Sequence, residues 1–136
     1  GALVADAMGL PYIYVRSSPK DHGLENLIEG NLTIGQKVIV IEDLISTGQS
    51  SLKAAEAIRA AGAEVVGMVA MFTYGFPLAE QRFKEAGIKL LTLSNYDALL
   101  EVALQTGFID KKDIATLQQW REDPGHWAPH RDNTIE

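Results

Sequence analysis

VIVIEDLISTGQSS, residues 38–51, is the stretch of sequence that decides the fold. It opens with four apolar residues and no polar alternation, which is typical of a strand covered on both faces in a parallel sheet. Glu42 and Asp43 follow this run, and small polar residues then lead into a helical pattern. The stretch therefore predicts a strand, a turn and a helix, which together form the repeating unit of an α/β protein.

Strand and helix patterns alternate on either side of this stretch. Strands are predicted at residues 11–16, 37–43, 64–74 and 88–94. Helices are predicted at residues 49–61, 77–87, 95–105 and 111–122, with Ser94 and Asp110 as N-caps of the last two. This order predicts a Rossmann-like, mostly parallel sheet flanked by helices, with ligands bound at the carboxyl ends of the strands. Residues 1–122 are predicted to form one domain, followed by a tail at 123–136.

Composition excludes several classes of protein. The 136 residues are 46% hydrophobic, which is enough for a buried core, and no apolar run approaches the roughly 18 residues of a membrane span. There is no cysteine and no signal-peptide pattern, so we expect a cytoplasmic protein without membrane partners. The net charge of −6 is the opposite of what a nucleic-acid-binding protein shows. Any phosphate site must therefore be local.

The turn after the predicted strand can supply such a local site. Backbone N–H groups and hydroxyls there can converge at the positive end of the following helix and hold a phosphate monoester. The residues concerned are Ser46, Thr47, Gly48, Gln49 and Ser50. Glu42 and Asp43 suit ribose hydroxyl groups better than phosphate. An ordinary polar turn, with acids that only favour the helix N-terminus, is the alternative interpretation.

The same stretch resembles the phosphoribosyl pyrophosphate motif of type I phosphoribosyltransferases. That motif consists of four apolar residues, two acids, two variable residues and a phosphate loop of small residues. The resemblance implies that Glu42 and Asp43 contact the ribose hydroxyls and that residues 46–50 hold the 5′-phosphate. It also implies that the Ser46 hydroxyl can touch the base. The fold implied is that of type I phosphoribosyltransferases, in part.

A second stretch, VRSSPKDHGLENLIEG at residues 15–30, places cations in an otherwise acidic chain. Arg16, Lys20 and His22 could close over pyrophosphate as a lid, although a solvated charged loop is the alternative. KDHG at residues 20–23 resembles the catalytic loop of orotate phosphoribosyltransferases. GALVADAMGLP at the start of the chain resembles the helix that precedes this loop in the same family.

This second resemblance implies an enzyme, a pentosyltransferase that makes orotidine 5′-phosphate and pyrophosphate from orotate and phosphoribosyl pyrophosphate in pyrimidine (UMP) biosynthesis. Lys20, His22 and Asp43 would be catalytic, and Arg16 and Lys20 would bind pyrophosphate. The family usually shares this loop across a homodimer, and Mg²⁺ is held mainly through substrate oxygens, so no protein metal ligands are assigned. Family members also have an N-terminal segment that is lacking here, so low activity of this chain alone is an expectation.

Two positions depart from the family pattern, and two other functions stay open. Ser17 stands where a lysine often follows Arg16, and Tyr74 stands near the place of an arginine that binds orotate. Another type I phosphoribosyltransferase and a noncatalytic phosphoribosyl pyrophosphate-binding regulator are the alternatives. Trp120 and the tail residues His126, Trp127 and His130 could form a metal or aromatic site, but packing of the aromatic side chains is the expected role.

Overall fold

The structure is a computed structural model that describes residues 1–17 and 27–127. The chain divides into two compact units, Gly1–Tyr96 and Asp97–Glu136. Within the described ranges, no helix combines the length and the apolar character needed to cross a membrane.

The first unit is an α/β structure built on a parallel sheet. Its elements in chain order are α1 (Ala2–Met8), β1 (Tyr14–Val15), β2 (Ile28–Glu29), β3 (Lys37–Ile45), α2 (Gln49–Ala60), β4 (Glu64–Thr73), α3 (Pro77–Glu85) and β5 (Leu90–Asn95). Strands β3, β4 and β5 lie side by side in that order, all parallel, while β1 and β2 form a separate antiparallel ribbon. The predicted α/β class with a parallel sheet and flanking helices is confirmed.

The register of the three parallel strands aligns their carboxyl ends. Ile45 pairs with Thr73, and Thr73 pairs with Asn95, so the three strands end at one edge of the sheet. Loops that leave this edge are brought together whatever their separation in sequence. This is the edge at which ligands bind in open α/β sheets.

Helices α2 and α3 cover one face of the sheet. Each connects neighbouring parallel strands, and right-handed crossovers that progress in one direction place successive helices on the same side. The apolar stripe of α2, Leu52, Ala55 and Ile58, is buried, as are Met68 and Ala70 of β4. A fully buried aliphatic side chain such as Ile58 contributes about 1.5–3 kcal/mol to stability. This packing fixes the start of α2 relative to the end of β3.

The opposite face of the sheet exposes large apolar side chains. Ile39, Met71, Leu91 and Leu93 are 56%, 58%, 55% and 80% exposed. The prediction that the strand at residues 38–41 is covered on both faces is therefore wrong for the described residues. The physical reason is that both crossover helices lie on the other side.

The predicted first strand and the long loop also need correction. Residues 11–16 contain only the two-residue strand β1, which pairs with β2 in the ribbon and not with the parallel sheet. Strand β2 lies inside residues 15–30, the stretch in which a charged lid or a solvated loop is predicted. The backbone N–H of Arg16 donates to the carbonyl of Leu27 at 2.7 Å and extends the ribbon. Short antiparallel pairings of this kind have little local sequence signal.

Over its described residues, which end at 127, the second unit contains α4 (Tyr96–Gln105), which begins at the boundary, and α5 (Lys111–Glu122). Both helix predictions are confirmed. Asp110 precedes α5 as predicted, and its backbone N–H donates to the Asp113 carboxylate at 2.9 Å. Ser94 is not the residue before α4, because β5 continues to Asn95.

Candidate functional site

The predicted phosphate-binding turn lies at the carboxyl edge of the sheet, between the end of β3 and the start of α2. Gly48 is the N-cap of α2, and its carbonyl accepts the first helical hydrogen bond, from Leu52 N–H at 3.0 Å. The N–H groups of Gln49, Ser50 and Ser51 occupy the first turn, where a helix has no intrahelical acceptor for them. The turn therefore offers several N–H donors at the positive end of a helix dipole.

Gly48 is a position that only glycine fits without strain. Its φ of 74° lies in the left-handed region, and a Cβ atom there would lie 2.8 Å from Cε2 of Phe83. Phe83 belongs to α3 and is only 4% exposed, so its ring has little room to move. The positive φ and the close contact with Phe83 are two separate reasons for glycine at this position.

Glu42 is a partly buried acid near the end of β3. Burial raises the pKa of its carboxyl above the usual 4.5, a hydrogen bond with the Ser51 side chain works in the opposite direction, and the neighbouring Asp43 charge raises the pKa further. Ser51 itself is only 2% exposed. The carboxylate is thus held against the first turn of α2, and its charge is stabilised there by a buried hydroxyl.

The Asp43 side chain is more exposed than that of Glu42. It is exposed, and one of its carboxylate oxygens accepts the Leu44 N–H at 2.7 Å. Successive side chains of a strand point to opposite faces, so the two acids leave β3 on different sides. The sheet edge therefore carries one anchored and one solvent-facing carboxylate beside the phosphate turn.

An aromatic cluster follows β4 at the same edge. The backbone N–H of Tyr74 donates to the carbonyl of Ile45 at 3.2 Å, which places Tyr74 directly beside the residue that precedes the turn. Its ring stacks on Phe76 with centroids 5.3 Å apart, forms a T-shaped pair with Phe72 at 5.4 Å and is tilted against Tyr96 at 5.9 Å. Tyr74, which lies near the sequence position of an orotate-binding arginine in the family, is therefore part of a packed aromatic group.

Of the three predicted cationic residues, Arg16 lies in the described part of the chain. Arg16 lies just after β1, and its Nε is 3.3 Å from a Glu29 carboxylate oxygen. Lys20 and His22 fall outside the described residues. The candidate residues at 42–50 thus lie at one edge of the sheet. Arg16 is ion-paired within the ribbon.

Three residues near the turn were missed by the sequence analysis. They are Ser51, Arg82 and Phe83. Ser51 had a usable signal, because a serine on the stripe that contains Ala55 and Ile58 predicts a buried hydroxyl that needs a partner. Arg82 donates from Nη1 to the Thr47 carbonyl at 3.0 Å, a contact between residues 35 apart in sequence, and no local pattern predicts it.

Two other regions of the molecule were candidates for a ligand or metal site. A groove of about 430 Å³ lies between α2 and α3. It contains equal numbers of acidic and basic side chains, so its formal charge does not favour phosphate. Its lining residues are Gln49, Leu52, Lys53, Glu56, Arg82, Glu85 and Ala86. In the tail, His126 Nδ1 contacts the Asp123 carboxylate at 2.9 Å, and His130 is not among the described residues. Over residues 1–17 and 27–127, no three His, Cys, Asp or Glu side chains are grouped to hold a metal ion.

Comparisons with known proteins identify the family of this chain. A family model described as a phosphoribosyl transferase domain matches residues 2–102. An orotate phosphoribosyltransferase of Bacteroides fragilis is 69% identical over 127 residues, which cover 93% of this chain and 60% of the relative. The chain thus spans about 60% of the length of that relative.

Solved structures of orotate phosphoribosyltransferases are similar to this one. The orotate phosphoribosyltransferase from Aeropyrum pernix has a TM-score of 0.68 at 28% identity, over 80% of this chain and 59% of that one. The Mycobacterium tuberculosis enzyme of the same name, solved in complex with phosphoribosyl pyrophosphate, has a TM-score of 0.54 at 32% identity, over 65% of this chain and 49% of that one.

Proposed function

The chain belongs to the phosphoribosyl transferase domain family, and from this membership we propose that it carries the phosphoribosyl pyrophosphate site of an orotate phosphoribosyltransferase. The observation that supports the proposal most is the arrangement of residues 42–50, two acids and a glycine-capped helix N-terminus at one sheet edge. The name of the Bacteroides fragilis relative supports orotate as the acceptor. The complex of the Mycobacterium tuberculosis enzyme supports phosphoribosyl pyrophosphate as the donor.

Each part of this arrangement has a role in binding the sugar phosphate. Residues 46–50 hold the 5′-phosphate through N–H groups and hydroxyls at the start of α2. Glu42 and Asp43 accept hydrogen bonds from the two ribose hydroxyls. Their negative charge also stabilises the positive charge that develops on the sugar ring as the bond to pyrophosphate breaks.

The proposed reaction is a substitution at the anomeric carbon. N1 of orotate forms the new bond and releases its proton to solvent or to pyrophosphate. The bond from the anomeric carbon to the pyrophosphate oxygen breaks, and its electron pair leaves with pyrophosphate. Arg16, Lys20 and His22 neutralise the leaving group, with Lys20 and His22 acting as catalytic residues from the loop. Arg16 would exchange its contact with Glu29 for pyrophosphate oxygens.

Magnesium is the cofactor that this chemistry implies. Mg²⁺ takes six oxygen ligands, and the two carboxylates at the end of β3 supply too few for a site made by the protein alone. Most of the ligands would therefore be pyrophosphate and ribose oxygens. When bound in that way, the ion reduces the negative charge on the leaving pyrophosphate.

The wider assignments belong to the same proposal. We place the enzyme in the cytoplasm, in the pyrimidine pathway that leads to UMP, as a homodimer in which the loop of one subunit serves the site of the other. Residues 1–122 would form the catalytic domain and 123–136 a tail. The base would lie near the Ser46 hydroxyl and the Tyr74 cluster.

A panel of bases tests this function. The intact protein is incubated with phosphoribosyl pyrophosphate, Mg²⁺ and either orotate, uracil, adenine or hypoxanthine, and nucleotide and pyrophosphate are measured. We expect orotidine 5′-phosphate from orotate and no product from the other bases. Transfer to a purine would instead indicate another phosphoribosyltransferase. Binding of phosphoribosyl pyrophosphate without transfer to any base would indicate a noncatalytic regulator.

A further inference from the structure

Arg82 of α3 contacts the backbone of the phosphate turn although it lies far from the turn in sequence. Its Nη1 donates to the carbonyl oxygen of Thr47 at 3.0 Å, and the contact is partly buried. The Thr47 carbonyl belongs to the peptide group that joins Thr47 to Gly48. Arg82 therefore holds one particular peptide plane of the turn.

The orientation of that peptide plane decides where the Gly48 N–H points. In a trans peptide the carbonyl and the N–H point in opposite directions. Because the Thr47 carbonyl is fixed toward α3, the Gly48 N–H is directed away from α3. This N–H then lies with the donors of Gln49 and Ser50 at the start of α2, where an anion would be bound.

The next residue of α3 restricts the same turn from a second direction. A Cβ atom on Gly48 would lie 2.8 Å from Phe83 Cε2, so the ring fills the space beside the glycine. Arg82 and Phe83 thus limit both the rotation of the peptide group and the position of Gly48. The arginine also places a positive charge behind a turn whose ligand is an anion.

We infer that Arg82 is a positioning residue that holds the Thr47–Gly48 peptide group in the orientation that binds the 5′-phosphate. The inference rests on the proposed function, since it concerns the same phosphate turn. Arg82 acts through the backbone and need not touch the substrate. Its effect should fall on binding of the sugar phosphate and not on the bond-breaking step. The charge of the 5′-phosphate does not change during the transfer, so its contacts with the turn are equal in the ground state and the transition state.

Steady-state kinetics of the intact protein with orotate, Mg²⁺ and phosphoribosyl pyrophosphate test this inference. Arg82→Met keeps the apolar stem and removes the donor, and we expect it to raise KM for phosphoribosyl pyrophosphate by about tenfold. The kcat and the KM for orotate should change by less than about twofold, because interactions made equally in the ground and transition states affect KM alone. Arg82→Lys, which keeps a cationic donor, should recover most of the loss.

Arg59→Met is the matched control. Arg59 also donates from Nη1 to a backbone carbonyl, that of Ala86 at 2.9 Å, but at the far end of α3. We expect it to leave the KM for phosphoribosyl pyrophosphate unchanged. Melting temperatures show whether each variant is folded, and Arg82→Gln replaces Arg82→Met if the latter is not.

The outcomes separate this inference from the proposed function. If the wild-type protein neither binds phosphoribosyl pyrophosphate nor transfers it to orotate, the function and the inference both fail. If the wild type is active and folded Arg82 variants keep its KM, or if Arg59→Met causes the same loss, only the inference is overturned. A fall in kcat with unchanged KM would also overturn it.

Discussion

At the scale of single residues, Glu42 shows how the proposed site affects stability. The acid is partly buried at the end of β3, and burial raises the pKa of its carboxyl. A buried hydroxyl, Ser51, offsets only part of this effect. Ionisation of this carboxyl disfavours folding, and the ribose contact proposed for it is a functional reason to retain the residue.

The replacement Glu42→Gln should therefore stabilise the free protein at neutral pH. The folded state of the wild type binds a proton more readily than the unfolded state, so the stability linked to Glu42 is full below its ordinary pKa of 4.5. That contribution is lost as the pH rises through the folded-state pKa. Melting curves should show a higher melting temperature for Glu42→Gln at pH 7–8, with a gain that shrinks toward about pH 4.5.

The control for this prediction is Glu64→Gln, which removes an exposed carboxylate at the start of β4. Its melting temperature should follow that of the wild type across the same pH range. A Glu42→Gln protein that melts below the wild type at pH 7–8 would contradict the assignment of Glu42 as a buried charge that disfavours folding.

At the scale of elements, the phosphate turn depends on α3 as well as on its own sequence. Gly48 and Gly87 both have positive φ, 74° and 62°. A Cβ atom on Gly48 would collide with the Phe83 ring, whereas one on Gly87 would have no atom within 4 Å. Alanine at either position costs about 1–2 kcal/mol for the left-handed backbone. At Gly48 the contact with Phe83 adds about 1–3 kcal/mol of overpacking, unless the turn moves.

Gly48→Ala should therefore weaken phosphoribosyl pyrophosphate binding, because the turn must shift away from the Phe83 ring. Calorimetry in the presence of Mg²⁺ measures the affinity, and denaturant unfolding measures the stability. Gly87→Ala should lose stability but keep the wild-type affinity. A folded Gly48→Ala protein with wild-type affinity would place the phosphate site elsewhere.

The contrast between local and distant contacts explains how much of the structure could be predicted. The strand, turn and helix at residues 38–60 are encoded by neighbouring residues, so their order could be read from the sequence. The ribbon of β1 and β2 and the Arg82 contact with Thr47 join residues far apart, and their short segments have no periodicity of their own. Prediction therefore located the turn between β3 and α2 but not the residues that hold it in place.

At the scale of the whole molecule, the charge distribution limits how phosphate can be bound. The chain carries a net charge of −6, so its overall field repels an anionic substrate. Attraction must come from N–H groups at the start of α2 and from individual cations close to the site. This is consistent with a site built from backbone groups at the sheet edge, with Arg82 behind it.

The most direct test of this account is the kcat/KM for phosphoribosyl pyrophosphate in the transfer to orotate, compared between the wild-type protein and the double variant Glu42→Gln, Asp43→Asn. The replacements keep the size of both side chains and remove their charge, and Glu42→Gln is expected to stabilise the fold. Lost activity would therefore not reflect unfolding. We predict that the wild type forms orotidine 5′-phosphate and that the double variant loses at least about 100-fold in kcat/KM. A wild type that does not convert orotate, or a double variant with unchanged kcat/KM, would contradict the account.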